Sequence, residues 1–513
     1  MVACVVNAAR SVMVLGTASH VGKSLIAAAL CRIFSDDGYA VAPFKAQNMS
    51  LNSAATPTGG EIGRAQALQA ECARVAPSVD MNPVLLKPSS DTSSQVVVLG
   101  EIAGESDART YHRERVTTLF PIVVAAYERL AQTCDLVVLE GAGSPAEINL
   151  KALDIVNLRM ARAANAPCML VADIDRGGMF AALFGTLALL EPNEREQIRG
   201  FVVNKFRGDR ALLQPGIEEI EQRIGIPCFG VIPYLHELGL DEEDGVSLED
   251  ERRRAQWRDG GSTDPERALR VAVIALPHLA NFTDFDALAS EESVDLIYAR
   301  EPRMLDAADV VIIPGTKRTI DDLDWLRETG FECALEPHLA RGLVVGICGG
   351  FQMLGQSIDD PHGVEGGGTR AGLGALSICT TLHRIKTTRT VHGQYVASAL
   401  FGQSFAPCEL DGYEIHVGET TYLDDARSVI AYEFGKDGAS TRNGSVMGTY
   451  VHGVFGADDF RARAIDAARR TRGLRATSAY TPWRAEREAR IDRWAAHVRG
   501  QLDLRAIRAI VFA

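Results

Sequence analysis

The sequence lacks several features that mark common classes of protein. Its ten cysteines include no Cys-x-x-Cys pair, which argues against a zinc knuckle or a redox dithiol. No apolar stretch reaches the ~20 residues that a membrane-spanning helix needs. The apolar run Ser11–Leu15 is too short for a signal peptide and leads straight into a glycine loop, so we expect a buried first strand there. No internal repeat is visible.

Positive charge is also in deficit. The formal net charge is -14, so we expect the surface to repel nucleic acid and anionic membranes, and neither is a predicted partner. An anionic ligand must therefore be met by a local cluster of donors. The scattered cysteines are typical of free thiols in a reducing compartment, which favours the cytoplasm.

The length and the apolar pattern predict an α/β protein with more than one domain. A chain of 513 residues is too long for one ordinary core. In the first half, short β-branched runs alternate with helical stretches such as Leu25–Phe34 and Ile62–Val75, which is typical of a doubly wound parallel sheet. The strands predicted in this half are Val12–Leu15, Ala40–Phe44, Asp135–Leu139, Cys168–Ala172, Gly200–Val203 and Phe229–Ile232.

A change of composition separates this half from a second α/β pattern. Residues 238–269 are rich in charged residues and glycine, and we interpret them as a linker. Strands are predicted again at Arg270–Ala275, Asp309–Ile313 and Leu343–Ile347. The predicted domains are therefore 1–237, 270–458 and a helical tail at 459–513, with the linker between the first two.

A glycine loop after the first predicted strand indicates phosphate binding. The segment runs Gly16-Thr17-Ala-Ser-His-Val-Gly22-Lys23-Ser24 and is followed by a helical stretch. Glycines allow backbone N–H groups to approach phosphate oxygens, and the helix N-terminus adds positive potential. Lys23 can then bridge the outer phosphates of ATP, while the Ser24 hydroxyl can ligate Mg²⁺. Gly16 and Gly22 have five residues between them, one more than the standard spacing.

Other strand ends supply candidates for the same site. Glu140 ends a predicted strand before a glycine turn, where an acid can reach a magnesium ion held by phosphates. Asn204 ends another, where it either reads the adenine edge or simply closes the strand. Asp173–Gly178 follows a further strand and could also line the cleft. After the second strand, a run of donors suited to a carboxylate substrate or a γ-phosphate comprises Lys45, Gln47, Asn48 and Ser50.

The second half contains a cysteine flanked by small residues. Gly346-Ile-Cys348-Gly349-Gly350 joins a predicted strand to a predicted helix, which is the form of a nucleophile elbow. A sulfur at a helix N-terminus is favoured as thiolate. The predicted general base is His452, at the end of a later strand.

Further residues are expected around this cysteine. The N–H groups of Gly315 and Gly349 are candidates for an oxyanion hole. Glu414 and His416 lie on a polar strand that could position glutamine or the base.

Together these motifs resemble two known families joined in one chain. The five-residue glycine spacing is shared with dethiobiotin synthetase and its relatives, and Ala18 stands where partition-type ATPases carry a second lysine. The elbow and His452 resemble the class I glutamine amidotransferases. In the usual triad of that class a glutamate follows two residues after the histidine, whereas this chain has Val454. Two alternatives follow: Glu414 is a guess for the orienting acid, or His452 and Cys348 work as a dyad.

The combination resembles the cobyric acid synthase family, with Lys45–Ser50 and Asp173–Gly178 matching that family's loops. The resemblance implies ATP, Mg²⁺ and glutamine as reactants, and amidation of four peripheral carboxylates of a corrinoid, cobyrinic acid a,c-diamide in its adenosylated form. Two alternatives stay open. One is the sister enzyme that forms the a,c-diamide, or another amide ligase. The other is a regulatory ATPase with an inactive amidotransferase domain, which the presence of Cys348 and His452 disfavours.

Overall fold

The structure is a computed structural model that describes residues 9–89, 93–107, 116–236, 238–240, 264, 266–423, 426–477 and 479–513. The described strands, in chain order, are β1 (Arg10–Gly16), β2 (Val41–Phe44), β3 (Gln47–Met49), β4 (Ser53–Ala55), β5 (Glu61–Gly63), β6 (Val84–Pro88), β7 (Ser93–Val98), β8 (Glu101–Asp107), β9 (Leu136–Glu140), β10 (Cys168–Asp173), β11 (Ile198–Phe206), β12 (Cys228–Pro233), β13 (Leu269–Ile274), β14 (Val294–Ala299), β15 (Val310–Ile313), β16 (Val344–Ile347), β17 (Ser357–Asp360), β18 (Gly368–Ala371), β19 (Ile378–Tyr395), β20 (Ala399–Leu400), β21 (Gln403–Ser404), β22 (Cys408–Tyr422), β23 (Ile430–Tyr432), β24 (Gly435–Asp437), β25 (Ala439–Ser440) and β26 (Val446–Thr449).

The described α-helices, numbered in the same way, are α1 (Lys23–Asp36), α2 (Arg64–Cys72), α3 (Val116–Ala131), α4 (Leu158–Ala163), α5 (Met179–Leu189), α6 (Pro192–Arg195), α7 (Arg210–Ile224), α8 (Asp286–Ala289), α9 (Thr319–Glu328), α10 (Phe331–Arg341), α11 (Gly349–Met353), α12 (Asp458–Thr471), α13 (Trp483–Arg499) and α14 (Leu504–Val511). In the part of the chain that the structure describes, none of these helices is long and apolar enough to cross a bilayer.

Contacts divide the described residues into two units. Unit 1 comprises those within Met1–Ser50, Gly60–Glu243 and Arg487–Ala513. Unit 2 comprises those within Leu51–Gly59 and Asp244–Glu486.

Unit 1 is built on a six-stranded parallel sheet with the order β12-β11-β10-β1-β9-β2. Successive residues of β1 enter different cores: Val12 and Val14 join one apolar cluster, whereas Met13 and Leu15 join the other. Both faces of the sheet are therefore covered. This confirms the predicted doubly wound arrangement and explains why its strands read as continuous apolar runs.

Unit 2 combines a second α/β sheet with a long antiparallel hairpin. The first sheet has the order β14-β13-β15-β16-β26-β25 and is parallel except for β25. The hairpin pairs β19 with β22 over most of their lengths and carries β17 and β23 beside it. The second α/β domain was predicted, but the length of this hairpin was not.

The two units depart from the predicted boundaries. Residues 51–59 belong to unit 2 rather than to the N-terminal unit. The predicted tail 459–513 is helical but not separate: α12 buries Phe460 in the core of unit 2, whereas α13 and α14 bury Trp494 and Ile507 in that of unit 1. Composition indicates a helix but not which core covers its apolar face. Most of the predicted linker, residues 241–263 and 265, lies outside the described residues.

Candidate active sites

The glycine loop of unit 1 lies between β1 and α1, as predicted. Gly22 caps α1 with φ 95°, a left-handed conformation that favours glycine. A Cβ at this position would lie 2.3 Å from Asn204 Nδ2, and one at Gly16 would lie 2.7 Å from Val21. Both glycines are therefore required by packing, and Gly22 is required by its conformation as well. Thr17 begins the loop and its N–H donates to the Val171 carbonyl at 2.9 Å.

Lys23 folds back across the loop that precedes it. Its Nζ donates to the Ala18 carbonyl at 2.9 Å and to the Gly143 carbonyl at 3.2 Å. The ammonium group thus lies between the glycine loop and the turn that follows β9. In this position the ammonium group can contact the oxygens of a phosphate bound by the loop.

Glu140 is the centre of a buried network at the end of β9. Its Oε1 accepts Ser24 Oγ at 2.7 Å and Lys45 Nζ at 2.9 Å. Its Oε2 accepts Gln69 Nε2 at 2.6 Å and Gln66 Nε2 at 3.3 Å. Four side-chain donors compensate the burial of this charge.

The Ser24–Glu140 pair fits the predicted magnesium site. A hydroxyl and a carboxylate at the end of a phosphate loop are the oxygen ligands that Mg²⁺ takes, with water and substrate phosphate completing the coordination. Within the described ranges, no group of three or more His, Cys, Asp or Glu residues is arranged to hold a metal.

The structure brings two of the residues predicted after β2, Lys45 and Asn48, to this network. Lys45 reaches Glu140 directly, and Asn48 reaches it through Gln66, whose Oε1 accepts Asn48 Nδ2 at 3.1 Å. Gln47 lies on β3, and Ser50 is buried with its N–H donating to the Leu86 carbonyl at 3.0 Å.

The sequence analysis missed Gln66 and Gln69. They stand one turn apart on α2, and this i, i+3 spacing places both side chains on one face of the helix.

Asn204 supports the loop in this structure. Its Nδ2 donates to the Val21 carbonyl at 2.9 Å, one residue before the helix cap. The neighbouring Lys205 donates to the His20 carbonyl at 2.7 Å and pairs with Asp173 at 3.1 Å. The end of β11 therefore holds the phosphate loop in shape, and contact of Asn204 with an adenine edge stays a prediction.

In unit 2, Cys348 occupies the predicted elbow between β16 and α11. Its backbone has φ 50° and ψ -106°, a strained conformation outside the usual wells. Small neighbours make this turn possible, because a Cβ at Gly350 would lie 2.0 Å from the Ile313 carbonyl oxygen and one at Gly346 would lie 2.6 Å from Leu354. The elbow is therefore fixed by close packing on both sides.

His452 lies beside Cys348 and is oriented by Asp284. Its Nδ1 is 2.6 Å from Asp284 Oδ2, and the other carboxylate oxygen of Asp284 accepts the Gly453 N–H at 3.1 Å. Tyr413 stacks on the imidazole ring with 5.2 Å between centroids. Burial alone would lower the pKa of His452, but the Asp284 carboxylate and the Cys348 sulfur raise it to about 10.

Glu414 is not the acid that orients His452, and this guess is corrected. Its carboxylate is 2.6 Å from Arg389 and accepts the Tyr432 hydroxyl at 2.7 Å. Burial opposes its charge, yet hydrogen bonds from His416 and Tyr432 hold the pKa of Glu414 below its usual value. Asp284 escaped the sequence analysis because it lies 168 residues before the histidine, in a short turn without a motif.

The predicted oxyanion glycines surround the nucleophile. A Cβ at Gly315 would lie 2.8 Å from His452 Cε1 and 3.7 Å from Cys348 Cβ, so the three residues meet at one point. Gly349 begins α11, and a Cβ there would lie 2.6 Å from Thr316. The structure thus places both glycines next to the nucleophile, and an oxyanion hole formed by their N–H groups stays a prediction.

A cavity of about 610 Å³ adjoins this site. Glu414, His416 and Tyr450 line it, and the rings of His416 and Tyr450 stack at 3.8 Å. Ile415, between the two β22 residues, has its carbonyl oxygen 3.6 Å from Cys348 Sγ. The polar strand that was predicted to position substrate is part of β22, and it therefore lies between Cys348 and the cavity.

Comparisons with known proteins agree with this two-part organisation. Residues 12–248 match the CobQ/CobB/MinD/ParA nucleotide binding domain, and residues 270–460 match the CobB/CobQ-like glutamine amidotransferase domain. Cobyric acid synthases of Salmonella agona (strain SL483) and Sorangium cellulosum (strain So ce56) are each 47% identical to this chain over 98% of its length, covering 98% and 99% of the relatives. That of Pelotomaculum thermopropionicum is 47% identical, with 98% of this chain and 97% of the relative covered.

Proposed function

Because this chain belongs to the cobyric acid synthase family, we propose that it amidates the b, d, e and g carboxylates of adenosylcobyrinic acid a,c-diamide with ATP and glutamine. The product is adenosylcobyric acid, an intermediate of cobalamin biosynthesis. Glutamine supplies the nitrogen in unit 2, and ATP activates the corrinoid carboxylates in unit 1.

One observation carries the proposal: a single chain contains both a phosphate loop with a buried acid and a strained elbow cysteine beside an acid-oriented histidine. The first site activates a carboxylate, and the second releases ammonia from an amide. Together they supply the two reactants of a glutamine-dependent amidation, an activated carboxylate and ammonia. The corrinoid as substrate is supported by the similarity to cobyric acid synthases along the whole chain.

In unit 2, His452 is protonated at neutral pH because its pKa lies near 10. A protonated imidazole in hydrogen-bond contact favours the Cys348 thiolate, which attacks the side-chain amide carbon of glutamine. The N–H groups of Gly315 and Gly349 receive the developing oxyanion. His452 then gives its proton to the leaving nitrogen, so that ammonia departs and a thioester remains.

The second half of this cycle uses the neutral histidine. His452 takes a proton from water, and the resulting hydroxide attacks the thioester carbon. The carbon–sulfur bond breaks, glutamate leaves and the thiolate–imidazolium pair is restored. Asp284 keeps Nδ1 of His452 as a donor throughout, so that Nε2 faces the sulfur.

In unit 1, the chain's own residues bind and orient the reactants. Backbone N–H groups of Gly16 to Gly22 and the Lys23 ammonium hold the phosphates of ATP, while Ser24 and Glu140 would hold Mg²⁺. When bound, Mg²⁺ neutralises charge on the phosphates. Lys45 is placed to draw a substrate carboxylate to the same edge of the sheet.

Activation is needed because a free carboxylate is a poor acceptor for ammonia. The carboxylate oxygen attacks the γ-phosphorus, the bond to the bridging oxygen breaks and ADP leaves. Ammonia then attacks the acyl phosphate carbon, and phosphate leaves to give the amide. We place this reaction in the cytoplasm, which is supported by the nine described cysteines being free thiols.

The test is mass spectrometry of cobyrinic acid a,c-diamide incubated with the enzyme, ATP, Mg²⁺ and glutamine. We expect successive products in which each step replaces one OH by NH2, ending at the tetra-amidated corrinoid. Cobyrinic acid itself, offered as the alternative substrate, should not be converted to its a,c-diamide. Conversion of cobyrinic acid alone would assign the chain to the sister activity, and no ATP-dependent product from either corrinoid would refute the proposal.

A further inference from the structure

The last two helices of the chain cover the helix of the phosphate loop. From Arg487 onward, α13 and α14 belong to unit 1, and they lie beyond the two stretches that match known domains. Apolar residues of α13 with i, i+3, i+4 and i+7 spacing form one buried face, which comprises Ile491, Trp494, Ala495 and Val498. This face shares an apolar core with α1. A segment to which neither domain match assigns a role therefore surrounds the phosphate-loop helix.

Trp494 contacts the first turn of α1 through its one polar side-chain atom. The indole N–H donates to the Leu25 carbonyl at 2.6 Å, and the residue is 5% exposed. A buried indole N–H usually finds such an acceptor. Leu25 directly follows Lys23 and Ser24 at the start of α1. The bond therefore attaches α13 to the backbone that carries the proposed phosphate and Mg²⁺ ligands.

The preceding carbonyl of the same turn is held from α2. The Ser24 carbonyl accepts Gln69 Nε2 at 3.2 Å, and the same amide group donates to Glu140 Oε2 at 2.6 Å. Two residues further along α2, Glu71 accepts Arg487 Nε at 2.8 Å and 2.9 Å. The helix α13 thus contacts both of the helices that supply donors to the buried Glu140 carboxylate.

A buried arginine fixes the position of α13 along α1. Arg32 has no exposed surface, and its guanidinium lies 2.8 Å from Glu488 and 3.7 Å from Asp492. These two acids are four residues apart and therefore lie on one face of α13. At the other end of α13, Arg499 donates to the Ile33 carbonyl at 3.0 Å. A shift of α13 along α1 would leave the Arg32 charge buried without its partners, which is strongly unfavourable.

We propose that Trp494 is a positioning residue for the nucleotide site, because its bond to Leu25 holds the first turn of α1 where Ser24 and Lys23 can meet the phosphates and Mg²⁺. The proposal rests on the proposed function and adds to its ATP half a residue from the C-terminal helices. The N–H groups at the start of a helix have no acceptor within it. Side chains that bind the carbonyls of this turn, Trp494 and Gln69, therefore add to what fixes its position.

The experiment is isothermal titration calorimetry of the full-length enzyme with ADP, in the presence and in the absence of Mg²⁺. Trp494→Phe removes the indole N–H and keeps an aromatic ring in the core. The matched control is Trp483→Phe, the same change at the first residue of α13, which is 8% exposed and belongs to unit 2. The Tm of each variant is also measured, and the titrations are made well below it, so that lost stability is not mistaken for lost affinity.

Wild type and Trp483→Phe should bind ADP more tightly with Mg²⁺ than without it. In Trp494→Phe we expect the Kd with Mg²⁺ to rise by at least ~10-fold, as is typical when a residue that orients a metal ligand is lost. The Kd without Mg²⁺ should rise less, because the Ser24 hydroxyl then has no metal to bind. A lower Tm with an unchanged gain of affinity from Mg²⁺ would show a purely structural role and overturn the proposal. A wild-type enzyme that binds no ADP would instead refute the ATP half of the proposed function, and this proposal with it.

Discussion

Replacing Asp284 by asparagine tests the arrangement around the catalytic histidine most directly. The substitution conserves shape and removes the negative charge 2.6 Å from His452 Nδ1. The asparagine can also donate its NH2 group to Nδ1 of His452. Nδ1 would then be the acceptor nitrogen of the ring, and Nε2 would carry the N–H toward Cys348. Both effects weaken the thiolate–imidazolium pair.

The size of the effect follows from the charge balance in the site. Burial by itself lowers the pKa of His452, and Asp284 is the larger of the two charges that raise it to about 10. Relative to an ordinary value of ~6.5, this corresponds to ~5 kcal/mol in favour of the protonated ring. If Asp284 supplies half of that or more, its loss costs ~3 kcal/mol, or ~100-fold in a rate that needs the ion pair. We expect glutaminase kcat/KM to fall by ~100- to 1000-fold.

The assay is glutamate release at pH 7 and across a pH series. Because the pKa of His452 falls in Asp284→Asn, the alkaline limb of kcat/KM should move to lower pH. Amidation driven by ammonium salt should be unchanged. Asp359→Asn, at a residue of β17 that accepts Thr369 Oγ1 at 2.6 Å, is the matched control and should leave both activities as they are. An Asp284→Asn enzyme with the wild-type alkaline limb would refute the role assigned to Asp284.

The same pair predicts a pH-dependent stability. A histidine whose folded pKa is raised contributes stability that is fully present below its ordinary value and is lost as the pH rises through the folded value. The difference in Tm between wild type and Asp284→Asn should therefore be largest near pH 6 and shrink as the pH approaches 10. A difference that does not vary over this range would show that the two groups are not charge-coupled.

Three further substitutions separate the two halves of the reaction. Cys348→Ala should abolish glutamine-driven amidation and retain amidation from ammonium salt; loss of both would contradict the division of labour between the units. Lys23→Ala should stop amidation with either nitrogen source. Its control is Lys151→Ala, which removes a partly exposed lysine paired with Glu194 and should leave amidation unchanged. An active Lys23→Ala enzyme would exclude the glycine loop from the mechanism. Gly315→Ala should lower glutaminase activity by at least ~100-fold, because the added Cβ would lie 2.8 Å from the His452 ring. Gly456→Ala is the control, since its Cβ would make only an ordinary contact at 3.9 Å and should leave the activity unchanged. Equal glutaminase rates in the two variants would show that space beside His452 is not required for the reaction.

The parts of the site that the sequence could predict are those in which a local turn demands special residues. The loop from Gly16 to Ser24 and the elbow at Cys348 both need small residues at fixed positions, because a backbone must approach a ligand or another backbone closely. Strands buried on both faces were equally visible, since each is a continuous apolar run. In these places the chemistry of a few neighbouring residues decides the structure.

What could not be predicted depends on contacts between segments distant in sequence. Asp284, Gln66 and Gln69 are ordinary polar residues in their local context, and they become part of a site only because folding brings them to His452 or Glu140. The sequence did not predict that residues 51–59 belong to unit 2, for the same reason. A short run of small residues carries no signal of which core it will join.

The acid that orients the catalytic histidine comes from a different part of the chain than the usual triad provides. In the usual triad of this class the acid follows two residues after the histidine, so that acid and base lie on one turn and move together. Here Val454 occupies that position and is buried as an apolar residue, while the acid comes from a segment anchored elsewhere. The distance from Asp284 to His452 is then set by packing between two segments rather than by one turn. Residues that hold the Asp284 segment in place, such as Asn281, whose side-chain oxygen accepts the Ser53 N–H at 2.9 Å, therefore matter for the geometry of the catalytic pair although they do not touch it.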